Sequence, residues 1–212
     1  MTPALTELLD RIQIDEGTLR LLRRYAAEVT VRPPTSPATA QAFRRAAGVL
    51  RDHDHLPSAV LCGRHELAVH RRRDDNPDAT ASALLDLSLT YRAQRRPHKV
   101  IDCADQILET YGRHHHTDGF THTLAYLGTL MIEVQRPDAA IRYLTRAANT
   151  SPAPHRLAEH QALLSRACRM SGDHHTADQH LNRALATARS TNTAHHVREL
   201  AAGTRQLPPP TP

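Results

Sequence analysis

Residues 124–148, LAYLGTLMIEVQRPDAAIRYLTRAA, predict two short amphipathic helices in succession. In each half the apolar residues recur every three or four positions, which is the period of a helix with one buried face. Pro137 follows two polar residues, interrupts the first helix and suits the first turn of the second. Gly128 lies in the middle of the first helix, where it costs stability unless another element comes close. The stretch therefore predicts a packed helical hairpin.

The pattern of this hairpin recurs along the chain at a spacing of 37 to 41 residues. Two positions of the pattern are occupied by small or modest side chains in every copy. The first row is Ala47, Ser88, Gly128 and Ser165, and the second is Ala59, Val100, Ala140 and Ala177. Polar, proline- or glycine-bearing breaks separate the two helices of each copy. We predict four hairpins, over residues 39–70, 80–111, 120–150 and 157–190.

These residues resemble the tetratricopeptide repeat (TPR), whose pattern combines a large apolar residue, Leu-Gly, an aromatic residue, and then Ala followed by a second aromatic residue. The matching positions here are Leu124, Leu127-Gly128, Met131, Ala140 and Leu144. Aliphatic side chains thus replace the aromatic ones, and the copies are spaced more widely than the 34 residues of the standard repeat. The resemblance implies an all-α fold, a right-handed superhelical array of about four TPR-like hairpins.

Two helices are predicted before the array, and Asp15 is placed to cap the second of them. The segment 14–37 is similar to the one that joins head and array in actinobacterial helix-turn-helix regulators, although no helix-turn-helix pattern precedes Ala40. We predict N-terminal helices over residues 1–31, a linker over 32–38, the TPR-like repeat domain over 39–202 and a disordered Pro-rich tail over 203–212. The second resemblance implies a regulatory array that senses a ligand.

Composition indicates a helical globular protein, because seven of the 212 residues are aromatic and glycine is scarce. No apolar run reaches the length of a membrane span, and the N-terminus lacks the layout of a signal peptide. We therefore expect a cytoplasmic protein. The three cysteines, Cys62, Cys103 and Cys168, show neither metal nor redox spacing, which favours reduced structural thiols.

No sequence motif indicates catalysis, a cofactor or a metal, so we predict a non-enzymatic protein. His65 and His70 are five residues apart, whereas zinc ligation on one helix face requires a separation of four. The connector histidines His114-His115-His116, with Asp118 and His122, and the pair His174-His175, with Asp178, are interpreted as solvated. An accessory metal-binding or enzymatic role for these His-rich connectors is the third-ranked alternative.

The net charge of +5 permits either a preference for acidic partners or a bias of a GC-rich coding sequence toward arginine. Basic clusters such as Arg71-Arg72-Arg73 and Arg95-Arg96 form no stripe with interleaved aromatic residues. We interpret them as solvated helix ends and predict no nucleic-acid binding.

Solenoids of this kind bind extended ligands on the first helix of each hairpin. The face opposite the packed residues carries arginines and a tyrosine predicted to be exposed, and it defines a ligand-binding groove. The groove residues are Arg45, Arg51, Arg92, Tyr126, Glu133, Arg166 and Arg169. We predict a protein–protein interaction module whose partner is an extended, partly acidic peptide or protein. The alternative is a TPR regulator that senses a small molecule or signalling peptide, and uncovered array ends leave a homodimer open.

Overall fold

The computed structural model describes residues 14–204, apart from 74–75, 116, 152 and 189–190. In this part of the chain all regular structure is α-helical. The helices are α1 (Glu16–Val31), α2 (Pro37–Asp52), α3 (Leu56–Arg73), α4 (Pro77–Ala93), α5 (Pro97–Arg113), α6 (Thr117–Glu133), α7 (Pro137–Thr150), α8 (Pro154–Met170), α9 (His174–Thr187) and α10 (Thr191–Ala202).

Helices α2 to α9 form the four predicted hairpins, with bounds within four residues of those expected. Helix α1 begins after Asp15 as predicted, and the Asp15 carboxylate accepts a hydrogen bond from the Thr18 amide at 2.9 Å. The first predicted N-terminal helix lies outside the described residues, as does most of the Pro-rich tail. Helix α10 is a further element, which packs on α8 and α9.

Prolines set the start of five helices, because α2, α4, α5, α7 and α8 each begin at a proline. The fixed φ of proline suits the first helical turn, where its missing amide proton has no intrahelical acceptor to lose. Ser36 and Asn76 precede two of these prolines, and their side chains accept hydrogen bonds from the amides of Thr39 and Ala79. Local sequence therefore fixes where these helices begin.

The turn inside each hairpin contains one residue in the left-handed region of backbone space. These residues are Asp54 (φ 62°), Arg95 (φ 55°), Gln135 (φ 58°) and Gly172 (φ 87°). In each turn the amide of the following residue bonds a carbonyl five residues earlier, as from His55 to Leu50 and from Asp173 to Cys168. The four turns are thus structural copies of one another, although a glycine occurs only in the fourth.

We expect Arg95→Gly and Gln135→Gly each to raise the free energy of unfolding by roughly 0.5–1 kcal/mol. A side chain in the left-handed region costs about 1–2 kcal/mol, and part of this gain is lost to the greater freedom of glycine in the unfolded chain. Urea unfolding followed by circular dichroism measures the change. The matched reverse substitution, Gly172→Ala, should destabilise, and a neutral result for all three variants would contradict this account.

The chain divides into two compact units, with the boundary after Thr110. In the first unit, α1 contacts α2, α2 contacts α3 and α4, and α3 contacts α4. Its core holds Leu22, Phe43 and Leu50, all of them fully buried. In the second unit, α6 contacts α7 and α8, and α8 also contacts α7, α9 and α10. Each unit therefore has its own helical core.

Candidate binding site

The predicted groove residues of the first unit lie on the least buried side of α2 and α4. Arg45 and Arg92 are exposed, and Arg51 is half-buried. On α4, Asp86 and Leu89 are half-buried, while the residues around them are buried. We call the set Arg44, Arg45, Arg51, Asp86, Leu89 and Arg92 the basic stripe.

Two ionic and polar contacts join the helices of the basic stripe. Arg44 Nε lies 2.8 Å from Asp86 Oδ2, which forms an ion pair between α2 and α4. Arg51 Nη1 donates a hydrogen bond of 3.5 Å to the Asp86 carbonyl oxygen. On this face, two arginines of the first hairpin therefore contact Asp86 of the second hairpin, one at its carboxylate and one at its backbone carbonyl.

The prediction that Tyr126 is exposed is wrong. This side chain on α6 is 4% exposed, and the residues from Thr123 to Ile132 are all buried. Because α6 contacts both α7 and α8, the helix buries more than the single face that the apolar spacing predicts. Tyr126 is a core residue, so it offers no surface anchor to a partner.

The predicted groove arginines of the second unit contact other parts of the same unit. Arg169 Nη2 lies 3.1 Å from Asp178 Oδ1 on α9, the other helix of its own hairpin. The Arg166 guanidinium packs on the backbone at Gly203, where an added Cβ would lie 2.8 Å from Arg166 Cζ. Glu133 is half-buried at the last residue of α6. These side chains do not converge as the basic stripe does.

Histidines of the second unit are more buried than the sequence suggests. Burial, and then the positive charge of Arg156, lowers the pKa of His122. Burial, and then the charge of His122, lowers the pKa of His160 to about 4. Among the described residues, no three His, Cys, Asp or Glu side chains are placed together to hold a metal ion, and His116 lies outside that set.

A cavity of about 490 Å³ lies in the first unit between α3, α4 and α5. Apolar side chains of all three helices form much of its wall, and basic side chains of α3 and α5 stand among them. The lining is Arg64, Leu67, Ala68 and Arg71 from α3, Leu84, Leu87 and Tyr91 from α4, and Lys99, Asp102, Cys103 and Gln106 from α5. Sites of this size and mixed character bind small molecules in many proteins.

Polar contacts hold the rim of this cavity in place. Arg64 donates to the Tyr91 hydroxyl oxygen from Nε at 3.3 Å and from Nη2 at 3.1 Å. Lys99 Nζ lies 2.9 Å from Asp102 Oδ2. The Arg71 guanidinium donates a hydrogen bond to the side-chain carbonyl of Gln106. Three cationic groups and one carboxylate thus surround an apolar interior.

The buried thiol in the cavity wall favours its protonated form at neutral pH. Burial, and then the negative charge of Asp102, raises the pKa of Cys103 to about 11, against the opposing charges of Lys99, Arg71 and Arg64. Since the thiolate is the nucleophilic form of cysteine, Cys103 acts as an apolar surface. The pKa of Cys62 is likewise raised, to about 12, mainly by burial.

None of the seven predicted groove residues lines the cavity. Arg71, predicted as a solvated helix end, is exposed but also forms part of the rim. Two signals in the sequence mark the site. Lys99 is the single lysine among 27 basic residues. The α3 and α5 linings follow the same one-faced spacing, with Arg64 and Arg71 each 35 residues before Lys99 and Gln106.

Comparison with solved structures identifies the fold. TPR-like repeats of a kinesin-light-chain-like protein from Podosopora anserina match with a TM-score of 0.66 and 13% identity, covering 89% of this chain and 95% of that one. BtubC (BKLC) from P. vanneervenii matches with a TM-score of 0.63 and 18% identity, covering 99% and 85%. MamA protein matches with a TM-score of 0.59 and 12% identity, covering 98% of both chains.

These similarities show that the fold is a TPR-like helical repeat, as the spacing of small residues predicts. No protein-family model matches the sequence, and no curated protein matches it. In the described part of the chain, no helix is both long enough and apolar enough to cross a membrane.

Proposed function

From the TPR-like fold, we propose that this protein is a non-catalytic interaction module that binds an extended, partly acidic segment of another protein along the basic stripe. The observation that carries the proposal is the convergence of Arg44 and Arg51 on Asp86. The Arg44–Asp86 ion pair is an intramolecular example of the recognition that we propose for the partner, since arginine pairs closely with carboxylates. Arg51 bonds the main-chain carbonyl of Asp86 instead, which is a contact that the backbone of an extended segment also offers.

The charge of the basic stripe supports an acidic partner. Four arginines share this face with one carboxylate, so a partner that supplies further carboxylates neutralises an excess of positive charge. An exposed ion pair contributes only about 0.2–1 kcal/mol, so several contacts along an extended segment are needed. Arg44 is exposed but pairs with Asp86, so Arg45 and Arg92 are the further exposed cations of the stripe proposed for those contacts. The proposal rests on the first unit alone.

We expect the double substitution Arg45→Glu with Arg92→Glu to weaken binding of acidic peptides by about tenfold or more, because each reversal replaces an attraction with a repulsion. The measurement selects binders to the full chain from a display library of random linear peptides. The selected peptides are then titrated against the unaltered protein and the variant. Peptides selected on the unaltered protein should be rich in Asp and Glu, and their affinity should fall as salt concentration rises.

The matched control is Arg23→Glu with Arg183→Glu. It makes the same change in net charge at two exposed arginines on α1 and α9, outside the basic stripe. The control should retain both the acidic preference and the affinity. Selection of peptides without acidic enrichment would overturn the proposal, and so would equal loss of binding in the stripe variant and the control variant.

A further inference from the structure

Beyond this interaction surface, we propose that the cavity between α3, α4 and α5 is a binding site for a small amphipathic carboxylate, an organic acid with an unbranched apolar body. The carboxylate would lie between Arg64, Tyr91 and Lys99, and the apolar body would run along Leu67 and Leu87. The site shares no residue with the basic stripe.

The shape of the cavity follows from the repeat. α3 and α5 are the second helices of successive hairpins, and Arg71 of α3 bonds Gln106 of α5. Because these helices run in the same direction, Arg64 and Lys99 lie together at the other end of the cavity. Seven residues of helix separate the two ends, which corresponds to roughly 10 Å. The cavity is therefore a short slot with cationic groups toward both ends and apolar side chains of α3 and α4 between them, while the Asp102 carboxylate of α5 pairs with Lys99.

Tyr91 provides an unused hydrogen-bond donor at the end that contains Arg64. Its side chain is 5% exposed, and its hydroxyl oxygen accepts both hydrogen bonds from Arg64. Among the described residues, none accepts the Tyr91 hydroxyl proton. A buried polar donor without an acceptor is costly, and a ligand oxygen at this point would remove that cost.

The charges of the slot favour a monoanion. Arg64, Arg71 and Lys99 outnumber Asp102, so a negative ligand is attracted. Asp102 lies 2.9 Å from Lys99 and would repel the second charge of a phosphate monoester. Nε and Nη2 of Arg64 already donate to Tyr91, so a carboxylate would accept from the remaining nitrogen, Nη1, and from the Tyr91 hydroxyl.

The volume sets the size of the ligand. A space of 490 Å³ corresponds to roughly 16 water molecules at about 30 Å³ each. The slot therefore holds a molecule of roughly 10 to 15 non-hydrogen atoms, with part of its length in the mouth. Leu84 and Leu87 are buried and line the cavity, so they would contact the apolar body. A straight-chain fatty acid of medium length has the size, the apolar body and the single negative charge that the slot requires.

The test is isothermal titration of the full chain with straight-chain carboxylates from butanoate to dodecanoate, with octanoate as the main probe. We expect affinity to rise with chain length up to the length of the slot and then to level off. Octanamide and octyl phosphate should each bind at least about tenfold more weakly than octanoate, since each lacks a matched charge. No saturable binding of any carboxylate up to about 10 mM, a limit of roughly −3 kcal/mol, would overturn the proposal.

Substitutions at two positions, Tyr91 and Arg64, test where in the slot the carboxylate binds. Tyr91→Phe keeps the packed ring and removes the donor, and we expect octanoate to bind about threefold to tenfold more weakly. Arg64→Gln should weaken it by about tenfold or more, and Arg64→Lys should weaken it less. The control, Arg72→Gln, changes an exposed arginine of α3 that does not line the cavity and should bind as the unaltered protein does. Equal affinities for all four variants would overturn the site.

Failure here is separable from failure of the interaction surface. The peptide selection uses Arg45 and Arg92, whereas the octanoate titration uses residues of the slot. The slot variants can be tested for peptide binding, and the Arg45→Glu with Arg92→Glu variant can be titrated with octanoate. We expect Tyr91→Phe to leave peptide binding unchanged.

Discussion

Glu66→Gln should raise the free energy of unfolding by roughly 3–5 kcal/mol near pH 9 and change it little near pH 4. Glu66 lies on α3 and is 1% exposed, and its Oε2 atom has no hydrogen-bond partner among the described residues. The charged groups that face it are Arg44 on α2, His70 on its own helix, with Nε2 at 4.0 Å, and Asp86 on α4. A carboxyl so placed is expensive to ionise.

The sign of the effect follows from the direction of the pKa shift. Burial, and then the negative charge of Asp86, raises the pKa of Glu66 from its usual 4.5 to about 8, although Arg44 opposes the rise. Between these two values the unfolded chain has released the proton while the folded chain still holds it. Stability is therefore fully present below pH 4.5 and falls as pH rises toward 8. Glutamine has no proton to release, so the variant loses this dependence.

His160 contributes the opposite slope over part of the same range. Its pKa is lowered from 6.5 to about 4, mainly by burial, so its contribution grows as pH rises between those values. These two groups oppose each other from about pH 4.5 to 6.5, and of the two only Glu66 acts between pH 6.5 and 8. The raised pKa values of Cys62 and Cys103 matter at higher pH, and burial, which persists in the Glu66→Gln variant, is the main cause of both. We expect stability of the unaltered protein to fall by roughly 2 kcal/mol between pH 6.5 and 8.

Guanidinium unfolding of the unaltered protein and of Glu66→Gln, at a series of pH values from 4 to 9, measures the difference in the free energy of unfolding. The control is Glu109→Gln, which removes an exposed carboxyl from α5. Its stability curve should follow that of the unaltered protein. Parallel curves for Glu66→Gln and the unaltered protein would show that Glu66 is ionised in the fold at little cost, contrary to our account.

The helical architecture was predictable because small residues report close approach of helices. Ser88 and Ser165 are fully buried, as are Ala140 and Ala177, and all of them lie at the repeated small positions. A packing contact that recurs at a fixed spacing is visible as a recurring residue type even in a single sequence. The conformation of the hairpin turns was harder to predict, because Arg95 and Gln135 adopt the left-handed conformation that glycine usually occupies.

The binding sites were harder to predict, for two physical reasons. Exposure depends on how many neighbours a helix has, and the period of its apolar residues does not report that number. Tyr126 is buried for this reason, while Arg45 and Arg92 on less covered sides of their helices are exposed. The cavity depends on three helices at once. The helices α3 and α5 each contribute a partly exposed stripe, such as the one from Lys99 to Gln106, and α4 contributes buried core residues. Only the packing of the three helices forms the cavity.

Gly128→Ala should lower the free energy of unfolding by about 1–3 kcal/mol, although alanine is the better helix former. An added Cβ at Gly128 would meet the Leu144 side chain of α7, with Cδ2 at 2.7 Å and Cγ closer still. Leu144 is fully buried, so its side chain cannot swing out into solvent to make room. The control is Gly48→Ala within α2, where an added Cβ would meet nothing within 4 Å. That variant should gain about 0.5–1 kcal/mol from helix propensity. Urea unfolding of both variants gives the two signs.

A double-mutant cycle shows whether Leu144 is the cause of the loss. Leu144→Ala alone should cost about 2–5 kcal/mol, because it leaves a cavity in the second unit. It also clears the space that a methyl group at Gly128 would need. The double variant should therefore be more stable than the sum of the two single losses implies, by roughly 1 kcal/mol or more. Additive losses would place the clash elsewhere. A positive coupling would mean that the small residue at position 128 is required by the Leu144 side chain that packs on it. The repeated small positions of the sequence would then be explained, in this hairpin, by one contact between α6 and α7.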